Sequence, residues 1–216
     1  MKFGIASAVC FSTLILGTVL YLAGCATTGM QRSDNTRTTM KVVEQDYIQA
    51  IVQVDATGES LESLVNPGQP DEKAAFKKYS ANVNRMEDMK NRLFNHADKM
   101  RVQQKDYFEE WRMQGNKYTN PQIQALSEQR RSDLSEVFSH ISEASVGVKG
   151  AFKAYMSDIG QINVYLSNDL TPKGVESITQ IAKNAVMDGA YLKDAVKPVL
   201  VAIGNAREEL AQGGKN

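Results

Sequence analysis

The sequence has almost no thiol or imidazole chemistry to offer: it holds two cysteines, two histidines and one tryptophan in 216 residues. Cys10 lies inside an apolar leader and Cys25 closes that leader. The chain beyond Cys25 therefore has no thiol for a disulfide, a thiolate metal site or a catalytic nucleophile, and its stability must come from packing. A carboxylate-bundle metal centre needs two Glu-x-x-His pairs on different helices, and neither His96 nor His140 has a Glu three residues before it. Glu136, His140 and Glu143 do fall on one helical face, but the same spacing suits a solvated surface, and no metal or other cofactor is expected. There is no Gly-x-Ser-x-Gly elbow and no glycine-rich phosphate loop, so no catalytic residue is assigned and an enzyme is not expected. Charge of one sign is lacking as well. The 25 Lys and Arg balance 25 Asp and Glu, which leaves no basic footprint for nucleic acid.

Charge is missing altogether from residues 3 to 24, which follow Lys2 and end in small residues. That is the layout of a secretory signal peptide. The apolar run, at about 20 residues, is also long enough to span a bilayer. Two features favour cleavage over an anchor helix. Leu22-Ala23-Gly24-Cys25 resembles the bacterial lipobox, and Arg32, Arg37 and Lys41 place more positive charge after the segment than before it. The resemblance implies cutting between Gly24 and Cys25 and acylation of Cys25, palmitate being one such chain, so that membrane lipid is the first expected partner. Two or more chains make such attachment stable. Ala26, where an Asp would favour inner-membrane retention, points to the outer membrane and its periplasmic face.

Proline is scarce, with five in the chain, and its positions punctuate long periodic runs. Residues 25–39, rich in Thr, Ser and Asn, read as a lipidated cysteine with a flexible tether able to reach about 45 Å. From Met40 apolar residues recur at steps of three and four, which predicts a helical domain over 40–212 and a disordered tail over 213–216. The expected fold is all-α: an elongated antiparallel bundle of four long helices with coiled-coil packing, over about 39–65, 71–114, 121–169 and 172–212. Asn66-Pro67-Gly68-Gln69-Pro70 ends the first, while Asn120-Pro121 and Thr171-Pro172 are capped starts. Pro198 predicts a kink or break in the last.

The seams predict a register. Leu61 should face Tyr79, Val54 Met86, Tyr47 Leu93 and Met40 Met100. Across the next turn Tyr79 should face Tyr155. Across the third, Tyr155 should meet Ala185, and Ala151 should meet Gly189. Small residues at Ala144, Gly147, Ala151 and Ala154 facing Ala182, Ala185 and Gly189 suit close backbone approach, which is the expected reading over the alternative that Gly147 and Gly150 loosen the third helix. A tip over 104–130 should then project past the first helix towards the membrane side. It carries Tyr107, Phe108, Trp111, Met113 and Tyr118, either as a plug closing the bundle or as a contact site for headgroups or a membrane-bound partner. Phe94, Phe138, Phe152 and Leu166 are either the second flank of the core or a surface for an envelope protein or a second copy.

Phe108-Glu109-Glu110-Trp111, Tyr118-Thr119-Asn120 and Val164-Tyr165-Leu166-Ser167-Asn168-Asp169-Leu170 resemble stretches of an uncharacterised family of bacterial coiled-coil lipoproteins described as a domain of unknown function. The resemblance spans most of residues 40–212. It implies the lipobox and the helical body and brings no activity, ligand or catalytic residue. The expected role is a membrane-anchored periplasmic structural or adaptor element, or alternatively a carrier or sensor of an apolar ligand held between helices.

Overall fold

A computed structural model describes residues 28–212. The expected signal peptide, the Gly24/Cys25 cleavage site and the tail over 213–216 lie outside the described residues. Five α-helices make up nearly all of it: α1 Gly29–Leu64, α2 Glu72–Gly115, α3 Pro121–Ala144, α4 Val148–Asn168 and α5 Pro172–Gln212. α3 and α4 together form one arm, so the molecule is a four-arm, up-and-down antiparallel bundle. α1 packs on α2 and α5, and both of these pack on α3 and α4. α2 alone, with 44 residues, is about 65 Å long.

Local chemistry explains each boundary. Asp71 accepts from the backbone N–H of Ala74 to start α2. Asn120 caps α3 through Gln122 and Ile123, with Pro121 as its first residue. Gly68, at φ 83°, turns the chain between α1 and α2 where a side chain would be strained.

The seam residues Met40, Tyr47, Val54, Leu61, Tyr79, Met86, Leu93 and Met100 are all buried. The α1–α2 register follows the expected pairing along its whole length: Ser60 meets Asn82, Asp46 meets Arg92 and His96, and Arg32 meets Glu110. At its centre is a buried polar cluster. The Asn82 amide donates to Ala56 O and Ser60 Oγ, each at 3.0 Å. Gln53 Nε2 donates back to Asn82 O at 3.2 Å and to Asn82 Oδ1 at 3.3 Å. Between α2 and the third arm the pairing is offset by about one helical turn, while between the third arm and α5 Arg130 with Glu209 and Tyr165 with Ser177 keep to the expected register. The Tyr79 hydroxyl donates to Ile159 O at 2.7 Å, and the Tyr155 ring lies against Gly189.

Two expectations are corrected, and two alternatives are narrowed. Residues 29–39 are not a tether but the first turns of α1. The chain Thr28-x-x-Gln31 forms a capping box, in which Gln31 N donates to Thr28 Oγ1 and Thr28 N to Gln31 Oε1. These turns pack without an apolar stripe: Thr36 is buried with its hydroxyl on Arg32 O, and Ser33 donates to Leu210 O. The third arm is divided at Ser145-Val146-Gly147, because Gly147 takes φ 88°, and an added Cβ there would meet nothing. It is a break, not a close approach. α5 runs unbroken through Pro198, held by the buried Val196, Val199 and Ile203 around it. Lastly, Phe138, Phe152 and Leu166 are buried and the partly buried Phe94 stacks edge-on against Phe152, so of the two alternatives these four take the second flank of the core.

Replacing Asn82 with Ala removes the amide that bonds Ala56 O and Ser60 Oγ across the interface, leaves a cavity there, and should lower unfolding free energy by about 2 kcal/mol in urea titrations. The glycines separate two effects. A Cβ on Gly189 would lie 2.9 Å from Val54 Cγ1 and 3.1 Å from Tyr155 Cε2, whereas one on Gly160 meets nothing. Gly160→Ala should stabilise by up to about 1 kcal/mol, while overpacking makes Gly189→Ala net destabilising. Thermal melts of the two variants give opposite signs.

Candidate functional site

Among the grooves on the surface of the described residues, one lies at an end of the bundle and one at the break in the third arm. The end groove, of about 940 Å³, lies where the start of α1, the end of α2, the start of α3 and the end of α5 converge. Tyr107, Trp111 and Tyr118 line it with Arg32, Arg37, Arg130 and Leu210. The tip does not project bare past α1, as the sequence suggests, because the additional turns of α1 form one wall of this groove.

The aromatic cluster divides in two. The Tyr107 and Trp111 rings meet edge to face at 5.8 Å, and Trp111 Nε1 donates to Ser127 Oγ at 3.0 Å. Phe108 turns away and packs edge-on against Phe138 at 5.2 Å. Tyr107, Phe108 and Trp111 are half-buried and close the end of the core, whereas Tyr118 and Met113 are 42% and 56% exposed. Plug and surface thus coexist: one set of rings seals the bundle and presents its outer edges to the groove.

Ion pairs hold the walls. Arg32 meets Glu110 at 3.5 Å, Arg37 meets Asp34 at 3.5 Å, and Arg130 binds the Glu209 carboxylate and, at 3.3 Å, its carbonyl. Burial pushes the Tyr107 phenol above its ordinary value, while the Arg32 and Arg130 guanidiniums act in the opposite direction. The arginines and Leu210 escape sequence reasoning because they lie on three helices remote in the chain. The capping box at Thr28 is the signal that would have found the α1 wall.

The second groove, of about 290 Å³, opens between α2 and the α3–α4 break. Phe94, Met100, Ile141, Val148 and Val199 give it an apolar floor, and Asp98, Arg101, Gln104 and Lys149 stand around it. Tyr47 also lines it. Its phenol is raised by burial and lowered, to a smaller degree, by the Ser145 hydroxyl.

The histidines lie elsewhere. His96 Nδ1 is 2.5 Å from Asp46 Oδ2, and Arg92 Nε occupies the other oxygen at 3.1 Å, forming an ion cluster that ties α2 to α1. His140 is exposed with Nδ1 3.2 Å from Glu143. Among the described residues no group of three or more His, Cys, Asp or Glu could hold a metal, and no helix is long and apolar enough to cross a membrane.

Arg130→Gln removes one of the two positive charges that lower the Tyr107 phenol, so its titration should move to higher pH, as read from tyrosinate absorbance against a Tyr107→Phe baseline. No family model, no curated protein and no solved structure matches the chain.

Proposed function

We propose that this protein is a lipoprotein held in the outer membrane, on its periplasmic face, by acyl chains on Cys25, and that its helical body is a structural or adaptor element with no catalytic activity. One observation carries the reading. Thr28, which opens α1, lies at the bundle end that holds the Tyr107–Trp111–Tyr118 groove. Cys25 precedes Thr28 by three residues, which extend to about 10 Å at most. Acyl chains on Cys25 would bring that end against the bilayer. Tryptophan, tyrosine and arginine are the side chains that suit the headgroup layer, with apolar bodies and polar tips.

The adaptor surface is then not the phenylalanine set, which is internal, but the outer face of α5. Met187, Tyr191 and Val201 are exposed there at helical spacing, Tyr191 at 67%. Either an envelope protein or a second copy of the chain would meet this strip. The groove at the third-arm break favours a second reading, in which the body holds an apolar ligand between its helices.

Metabolic labelling with palmitate should mark the native chain and not Cys25→Ala, and density fractionation should place the label with outer-membrane material. A photo-reactive side chain at Tyr191 should give one discrete cross-linked species. An unlabelled native chain would remove the anchor, and an absence of discrete cross-links would remove the adaptor.

A further inference from the structure

The groove at the break has the construction of a small-molecule site, an apolar body with a few placed polar groups. An unbroken helix through residues 145–147 would carry its side chains along α2. The left-handed turn at Gly147 instead swings the backbone outward, and Val146 is left 82% exposed. The apolar floor beneath this opening comes from three arms, so no single helix closes it.

The polar groups around it point to one kind of ligand head. Gln104 Nε2 is buried and has no hydrogen-bond partner in the protein, and a buried donor of this sort costs free energy unless an acceptor reaches it. Lys149 reaches across the groove, its Nζ 5.9 Å from the centre of the Phe94 ring. Arg101 is engaged by Asp98 at 3.5 Å, so these two largely cancel and the net charge facing the groove is that of Lys149. A head that accepts hydrogen bonds and carries one negative charge satisfies both the amide and the ammonium. A dianion would exceed the positive charge available, and an amine would leave Gln104 unpaired and oppose Lys149.

We propose that the groove between α2 and the α3–α4 break binds a small monocarboxylate with an apolar tail, such as a medium-chain fatty acid. The carboxylate is received by Gln104 and Lys149, and the tail lies on Phe94, Ile141 and Val148. This develops the reading of an apolar ligand held between helices and is independent of the anchor.

The test is photo-labelling of the full chain in its native membranes with a medium-chain fatty acid bearing a diazirine near its tail, the adducts being mapped by mass spectrometry. Adducts should fall on the peptides around Phe94 and Ile141–Val148, and excess unmodified acid, but not the corresponding primary amine, should compete them away. Ser142 is an exposed residue on the groove wall. Ser142→Trp should block the groove and reduce labelling about tenfold, and Lys149→Gln should reduce it by a comparable factor, since each 1.4 kcal/mol is tenfold in affinity. Circular dichroism confirms that both variants fold. Labelling that scatters over the surface, that the amine competes equally well, or that persists at full strength in folded Ser142→Trp overturns the proposal. The intact mass of the same sample reads acylation at Cys25 separately, so failure of the anchor and failure of the groove are distinguished.

Discussion

A bundle of long amphipathic helices has many near-equivalent ways to slide by one heptad, and apolar seams alone distinguish these poorly. In this chain the choice between α1 and α2 is made by hydrogen bonds in the interior. Asn82 spends its amide on Ala56 and Ser60 and receives Gln53, and no other register offers all of these partners. The ion cluster of Asp46 with Arg92 and His96 adds a second fixed point several turns away. With that pair locked, α5 docks on α1 through Arg207 with Glu44 and Lys193 with Asp55, and the third arm closes the remaining side.

Heptad spacing and the proline-marked turns made the arms, their direction and the buried residues of the first seam legible in the sequence. Three features were not legible, each for a physical reason. The start of α1 has threonine, arginine and glutamine where an apolar stripe would be read, and it packs through arginine stems and hydroxyls bonded back to the helix. Gly147 sits at a heptad position that suits either close packing or a break, and only its backbone angle decides. Pro198 removes one hydrogen bond, yet the apolar contacts of its neighbours on α5 keep the helix running. The one-turn offset of Tyr79 has a similar origin, since its hydroxyl reaches a backbone carbonyl, Ile159 O, that heptad counting does not consider.

The two grooves differ in kind. The end groove is lined by paired charges and half-buried rings and is broad, which suits a surface more than a small ligand. The groove at the break is narrower and has an apolar floor. Of the contact residues suggested by sequence, Tyr107, Trp111 and Tyr118 come together at the end groove while Phe108 serves the core. The aromatic stretch is therefore visible in the sequence, but the arginines that share its groove come from other helices. An anchored body with a separate ligand groove would combine the structural and carrier readings in one molecule.

Splitting the third arm also divides its stability. α3 buries only Leu134, Phe138 and Ile141, whereas the shorter α4 buries Val148, Phe152, Tyr155, Ile159, Ile162 and Leu166. With no continuous hydrogen-bonded ladder across Gly147, α3 can detach while α4 stays docked on α5. Cooperative units of this sort open at free energies below that of global unfolding. By this comparison α3 would open more readily than α4, and its release would uncover the Trp111 indole and the floor beneath Ile141 together, coupling the two grooves through a single local opening.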